Sequence, residues 1–195
     1  MPGVSLTQRE RNTDEIYLSY SSPKTQSRVY FYNLSTKEKK LVKEQIIPSG
    51  HNSDDYIVER VECESHDGRL VPLTITRHKK TKLDGNANLL LYGYGSYGSS
   101  MSPSFSTTKL SLINRDIIWV TAHIRGGMER GMGWWKEGKL LNKKNTFKDY
   151  IASAEYLIAN KYTSKKKIIG MGGSAGGLLM GAVVNQAPEL FLGII

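Results

Sequence analysis

The chain has 195 residues, with 27 lysine or arginine and 18 aspartate or glutamate side chains, so its formal net charge is +9 at neutral pH. This length suits one substantial core, or a small piece together with most of a domain. The single cysteine excludes an intrachain disulfide, and no apolar run approaches the roughly 18 residues that a transmembrane helix needs. We therefore expect a soluble, cytoplasmic chain with no membrane span and no secretory signal.

The excess positive charge is spread along the chain. The lysines fall into clusters within residues 37–43, 79–82, 136–144 and 165–167. None of these clusters has the interleaved aromatic residues of a recognisable nucleic-acid-binding module. The pattern favours a solvated surface, and we predict no nucleic-acid partner.

The first part of the chain alternates between strand-forming runs and turns. Residues 16–20 alternate in polarity, residues 28–32 are rich in β-formers, and residues 40–42 begin a third strand. This is about one four-stranded repeat, which is too small to bury a sheet face by itself. The breaker-rich stretch 47–55 then predicts a boundary, so we assign residues 1–45 and 46–195 to separate units.

The second unit begins with strands. Residues 56–63 and 70–76 predict an antiparallel hairpin. Short apolar runs at 89–92 and 117–122, and another that starts at Ile168, predict strands buried on both faces of a parallel sheet.

Helices alternate with these strands. A short helix is predicted at 109–113, and residues 128–145 are predicted to form a loop. Thr146 is read as the N-cap of a longer helix, with Asp149 three residues later and an apolar stripe that extends to Ile158. The fold class is therefore α/β.

A Gly-x-Ser-x-Gly pattern spans Gly172, Ser174 and Gly176. A short apolar run precedes it and a helix-forming segment follows it, which is the strand, turn and helix context of a nucleophile elbow. The flanking glycines keep a strained turn free of collisions with the strand and the helix. Phosphate-binding turns and other tight strand-to-helix turns share the spacing, so the motif alone leaves those alternatives open.

Four blocks together resemble the prolyl oligopeptidase family of serine peptidases, and within it the oligopeptidase B (protease II) branch. They are LYGYGSYG at 91–98, AHIRGG at 122–127, GK to KNTFKDY at 138–150, and GGSAGG at 172–177. The family has a β-propeller that caps an α/β-hydrolase domain. The resemblance implies that residues 1–45 are a remnant of the last propeller blade and that residues 46–195 are the N-terminal portion of a truncated hydrolase domain.

The resemblance also implies roles for four residues. Ser174 is similar to the nucleophile, and the amide of Ala175 and the hydroxyl of Tyr94 are similar to the oxyanion hole. Tyr97 lies where the family has an aromatic residue near the pocket for the residue before the cleaved bond. From spacing alone, Tyr94 is read as a ring packed in a tight loop. We expect an acyl-enzyme mechanism on short peptides, with no cofactor and no metal.

The substrate preference of oligopeptidase B implies cleavage after basic residues. Some acidic subsite residues of that branch lie in the loop after the Gly-Tyr-Gly block, where this chain has Ser102 and Ser104. A serine supplies no countercharge for a second basic side chain, so the sequence argues against a preference for pairs of basic residues.

A serine nucleophile needs a histidine base and a carboxylate that orients it. In α/β-hydrolases both follow the serine, whereas His51, His66, His78 and His123 all precede Ser174. We expect packing or a backbone contact as the role of His123, and negligible peptidase activity for this chain alone. A complementary C-terminal half would supply the missing Asp and His; a non-catalytic remnant or binding module, and an esterase on the same fold, are the alternatives.

Overall fold

A computed structural model describes residues 3–7 and 12–195 of the chain, which form a four-stranded and a six-stranded sheet. The strands of the smaller sheet are β1 (Gly3–Thr7), β2 (Glu15–Ser22), β3 (Thr25–Asn33) and β4 (Lys39–Glu44). They pair antiparallel in chain order. Every residue of β1 and β4 is exposed, so this sheet buries little by itself.

Strands β2, β3 and β4 confirm the three strands predicted in this part of the chain, whereas β1 was not predicted. Its large apolar residues, Val4 and Leu6, are 63% and 58% exposed. Since no side chain of β1 is buried, its sequence carries little of the periodic signal that burial imposes. The backbone pairing with β2 defines this strand.

The larger sheet is mixed. Its strands are β5 (Tyr56–Glu64), β6 (Leu70–His78), β7 (Leu89–Tyr92), β8 (Ile118–Ala122), β9 (Ile168–Met171) and β10 (Phe191–Ile194). The order across the sheet is β10-β9-β7-β8-β6-β5. Strands β7 to β10 pair in parallel, and β5 and β6 form an antiparallel hairpin at one edge. The predicted hairpin and buried parallel strands are confirmed.

Helices pack on both faces of this sheet. They are α1 (Thr107–Ile113), α2 (Met132–Lys136), α3 (Lys144–Ala159) and α4 (Ala175–Gln186). Leu89 and Leu91 of β7 pack in the core that includes α3 and α4, while Leu90 packs in the core that includes Leu110 of α1. This alternation follows from the period of two along a strand. None of the helices in the described ranges is both long and apolar enough to cross a membrane.

Helix α3 begins at Lys144, so the predicted N-cap role of Thr146 is wrong. The Thr146 hydroxyl is buried in the first turn and donates to the carbonyl oxygens of Arg125 and Gly138, at 2.8 and 3.1 Å. Asp149 accepts hydrogen bonds from Arg125. The pattern that resembles a capping box therefore reflects two tertiary contacts. The predicted loop at 128–145 also contains α2.

Glycines allow the segments after β7 and β8 to touch. A methyl group on Gly126 would overlap the Gly95 carbonyl oxygen, and one on Gly138 would overlap the Gly126 nitrogen. Gly126 also has a φ of +100°, which strains any residue with a side chain. A side chain at position 126 is therefore excluded twice, by space and by conformation.

We expect Gly126→Ala to lower the free energy of unfolding by at least about 3 kcal/mol, because steric overlap adds to the strained φ. Gly50 is the matched control, since its φ is +80° and an added methyl group meets nothing within 4 Å. Gly50→Ala should cost only about 1 kcal/mol. Urea denaturation of both variants measures the difference. Equal losses of unfolding free energy in the two variants would show that the segments after β7 and β8 separate freely.

Candidate active site

Ser174 occupies the turn between β9 and α4. Its φ is +56° and its ψ is −117°, a conformation that costs a residue with a side chain about 1–3 kcal/mol. The residue is exposed, and its side chain makes no capping hydrogen bond to α4. The turn therefore presents a hydroxyl to solvent at the carboxyl end of a parallel strand, as a nucleophile elbow does.

The two glycines of the motif make this turn possible. A methyl group on Gly172 would lie 2.6 Å from the carbonyl oxygen of Gly176, and one on Gly176 would lie 3.0 Å from the carbonyl oxygen of Gly93. The first contact requires a backbone shift, and the second leaves almost no room. The predicted collision of side chains at these positions is thus confirmed.

Tyr94 lies beside the first turn of α4. Strands β7 and β9 are neighbours, with Tyr92 opposite Met171, so the residues that follow them reach the same edge of the sheet. A methyl group on Gly176 would lie 3.7 Å from Cδ2 of the Tyr94 ring. The first amide of a helix has no acceptor within the helix, which leaves the N–H of Ala175 to bind a ligand.

Tyr97 lies three residues beyond Tyr94 on the loop that follows β7. Its side chain is 80% exposed, and its φ of +56° is unusual for an aromatic residue. The structure therefore brings Ser174, Ala175 and Tyr94 to one edge of the sheet and exposes Tyr97 on the same loop as Tyr94. The catalytic and binding roles of these four residues stay predictions.

Lys143 fixes the loop that carries Tyr94. Its Nζ donates to the carbonyl oxygen of Gly95 at 2.5 Å and to the hydroxyl of Ser96 at 2.8 Å. The Gly98 N–H donates to the carbonyl oxygen of Gly126 at 2.9 Å. Burial lowers the pKa of Lys143. A donor on Lys143 and an acceptor on Gly126 therefore hold the backbone on either side of Tyr97.

A buried ion pair supports these segments. Arg125 is 1% exposed, and its Nη2 and Nε donate to the two carboxylate oxygens of the fully buried Asp149, at 2.6 and 2.8 Å. Its Nη1 donates to Asp67 at 2.6 Å. Burial lowers the pKa of the guanidinium, but the hydrogen bonds to Asp149 and Asp67 outweigh it, so the pKa is raised overall. The charged pair ties the segment after β8 to α3.

The histidines either contact the antiparallel hairpin of β5 and β6 or lie in its turn. His123 is buried, and its Nε2 shares a hydrogen bond of 2.9 Å with a threonine hydroxyl of β6. His51 and His78 pack on the Tyr56 ring, and His66 lies in the turn between β5 and β6. Strands β7 and β8 separate this hairpin from β9. The packing role expected for His123 is confirmed.

The sequence analysis missed the buried charged residues that support the site. Arg125 was identified only within a block that carries the family resemblance, Asp149 only in that way and as part of a helix-capping pattern, and Lys143 only as part of a charged cluster. Charged residues are mostly exposed, so sequence pattern gives no signal for a buried one. Within residues 3–7 and 12–195, no group of three or more histidine, cysteine or acidic side chains is arranged to hold a metal ion.

The strained serine turn lies on a mixed sheet. Together they define a class of protein, namely α/β proteins that expose a serine hydroxyl. Residues 103–195 match the model of the prolyl oligopeptidase family. Dipeptidyl aminopeptidase BI from Pseudoxanthomonas mexicana is 45% identical over 93% of this chain and 25% of that protein. Protease 2 from Moraxella lacunata is 40% identical over 97% of this chain and 28% of that protein.

Comparison with solved structures points to the same family. Oligopeptidase B from Leishmania major superposes with a TM-score of 0.88 at 37% identity, over 100% of this chain and 28% of that chain. This chain belongs to the prolyl oligopeptidase family of serine peptidases. It spans about a quarter of the length of the relatives that it matches.

The role of Lys143 is testable without any catalytic assay. Lys143→Met removes the donor to Gly95 and Ser96 but keeps the side-chain length, so the amides of residues 95–98 should exchange with deuterium at least about tenfold faster. Lys144 is exposed, so Lys144→Met serves as the control. Hydrogen exchange with mass spectrometry measures both variants. Unchanged exchange in Lys143→Met would mean that the glycine contacts alone hold the loop.

Proposed function

We propose that this chain carries the nucleophile and the oxyanion-binding groups of a serine oligopeptidase. Ser174 is the nucleophile, the Ala175 N–H and the Tyr94 hydroxyl bind the oxyanion, and Tyr97 contacts the residue before the cleaved bond. The observation that carries the proposal is the exposed serine at a φ of +56° between β9 and α4. Backbone strain of this kind costs free energy and is concentrated at functional sites.

The residues have distinct chemical tasks in this reaction. The Ser174 oxygen attacks the peptide carbonyl carbon while its proton passes to a base, and the carbonyl oxygen becomes an oxyanion. The protonated amine then leaves, and water hydrolyses the acyl-enzyme. One aligned oxyanion donor contributes about 3–4 kcal/mol to the stability of the transition state. The positive end of the α4 dipole at Ala175 acts in the same direction.

We propose that the base and its orienting carboxylate come from residues outside this chain. The contacts of the four histidines with the β5 and β6 hairpin support this, because strands β7 and β8 lie between that hairpin and β9. A complementary C-terminal half of a two-part peptidase would supply them. A serine without a base is a weak nucleophile, so the chain alone has negligible activity.

The two sheets suggest how the larger protein is organised. We propose that residues 1–45 belong to the last blade of a β-propeller and that residues 46–195 are the N-terminal portion of an α/β-hydrolase domain. Four antiparallel strands are the content of one blade, and blade-like repeats bury their faces only against neighbours. The exposure of all residues in β1 and β4 is consistent with such a unit.

The proposed substrates are short peptides cleaved after basic residues. The likeness to oligopeptidase B supports this preference. Ser102 and Ser104 are exposed and uncharged, so they give no support for a preference for basic pairs. We propose a cytoplasmic location, with which the buried free thiol of Cys63 agrees.

Reassembly tests the proposed function. The chain alone should not hydrolyse an arginyl amide substrate, whereas refolding with the C-terminal half of a family member should restore turnover. Loss of the base in a serine triad lowers kcat about a million-fold, so the contrast is large. Ser174→Ala in the reassembled enzyme is the control and should abolish fluorophosphonate labelling. Turnover by the chain alone would contradict an external base, and a folded but inert complex would favour a non-catalytic binding module.

The oxyanion role of Tyr94 has its own test in the reassembled enzyme. Tyr94→Phe removes only the hydroxyl, so kcat should fall about 100-fold to 1000-fold while KM changes little. Tyr17 of β2 is 46% exposed, and Tyr17→Phe is the matched control with unchanged kinetics. A Tyr94→Phe enzyme with normal kcat would reduce Tyr94 to a packing residue.

A further inference from the structure

A cavity of about 360 Å³ lies between the four-stranded sheet and the loop that follows Tyr97. It is lined by Gly3 and Ser21 of the small sheet, by residues 100–104, and by Arg60, His123 and Glu129. We refer to it as the Glu129 cavity. Its size is sufficient for an amino-acid side chain.

Glu129 brings an incompletely bonded carboxylate to this cavity. Its side chain is 8% exposed. Oε1 accepts a hydrogen bond of 2.8 Å from the Met101 N–H, while Oε2 is buried and has no hydrogen-bond partner among residues 3–7 and 12–195. Acidic side chains are almost never buried without a partner. The open oxygen is therefore an acceptor for a donor that this part of the chain does not supply.

Among the described residues, neither His123 nor Arg60, which line the cavity beside Glu129, bonds to its open oxygen. The Nδ1 of His123 lies 3.6 Å from Oε1, which is too far for a hydrogen bond. Burial lowers the pKa of His123 by more than the nearby Glu129 carboxylate raises it. The Nδ1 atom is also buried and has no partner within the described residues. Within the described residues, the cavity therefore holds two buried polar atoms that have no hydrogen-bond partner.

Arg60 is the cationic residue in the lining. Its Nη1 donates to the Thr74 hydroxyl at 2.8 Å, and the ion pairs within 4 Å in the described ranges do not join it to Glu129. Arg60 lies close enough to Glu129 for the two charges to attract each other, but Arg60 is exposed, so water and salt screen that attraction. The charge of the buried Glu129 is screened less, and it decides which ligand the cavity favours.

Water in the cavity would satisfy the open oxygen but would add no positive charge to the screened attraction between Arg60 and Glu129. A cationic donor supplies both a hydrogen bond and a positive charge, and charge-assisted hydrogen bonds are about twice as strong as neutral ones. We propose that the Glu129 cavity binds the guanidinium or ammonium group of a basic residue in a peptide substrate. Glu129 then provides the negative charge that Ser102 and Ser104 lack. This inference rests on the proposed peptidase function and specifies its substrate.

Binding of a capped amino acid tests the proposal without any catalysis. The probes are Nα-acetyl-arginine amide and Nα-acetyl-citrulline amide, which have nearly the same shape but differ in charge. The Met101 amide is the reporter in a nitrogen–proton NMR titration, because its N–H bonds to Glu129. We expect the arginine probe to shift this resonance and to bind at least about tenfold more tightly than the citrulline probe.

Variants identify the charge that is responsible. Glu129→Gln keeps an acceptor for the Met101 N–H, and it should weaken binding of the arginine probe at least about tenfold. Glu155→Gln, at an exposed position of α3, makes the same change in net charge and should have no effect. Ser102→Asp adds a second carboxylate to the lining and should tighten binding of the arginine probe only. The unperturbed remainder of each spectrum reports that the variant is folded.

The proposal is wrong if both probes bind equally, if neither probe shifts the Met101 amide, or if Glu129→Gln binds the arginine probe as the parent chain does. In the second case the cavity holds water only. These outcomes do not depend on Ser174. Failure of reassembled turnover with selective arginine binding would refute the peptidase mechanism alone, and normal turnover without selective binding would refute the cationic site alone.

Discussion

A guanidinium and a carboxylate, both almost entirely shielded from water, connect strand β8 to helix α3. Removing one partner of such a pair would leave an isolated buried charge, which costs about 3–5 kcal/mol. Arg125 and Asp149 also satisfy backbone groups, since the Arg125 N–H donates to Asp149 and the Arg125 carbonyl accepts from Thr146. The ion pair thus fixes the direction of the chain as it leaves β8. The following residue, Gly126, touches Gly95 directly.

That contact transmits the constraint to the candidate active site. Gly95 follows Tyr94 in the loop after β7. Hydrogen bonds with Gly126 and Lys143 hold this loop as far as Gly98. On the other side, Gly172 and Gly176 allow the serine turn to approach β7 closely. The ends of β7, β8 and β9 therefore determine the position of the Ser174 hydroxyl relative to the Tyr94 ring. A rigid scaffold of this kind is what oxyanion stabilisation requires.

Sequence pattern predicted the parts of the fold that burial makes periodic or continuous. The apolar runs of β7, β8 and β9 are buried on both faces, and the serine motif was predicted with its strand and helix. The pattern failed where tertiary contacts reuse polar residues, as at Thr146, which resembles a helix cap but bonds to two distant carbonyls. It also gave no sign of β1, which has no buried side chain, nor of Glu129, whose burial depends on the loop at 100–104. These features depend on which segments become neighbours.

The order of the strands has a consequence for how a ligand reaches the serine. The chain leaves β7 towards β8 by way of α1 on one face, and it leaves β9 towards β10 by way of α4 on the opposite face. The two crossovers diverge from the line between β7 and β9, and a crevice forms at such a reversal. Entry of a ligand at this point does not require the hydrophobic layers to separate. Access can therefore be controlled by whatever covers the rim of the sheet, independently of the stability of the layers beneath it.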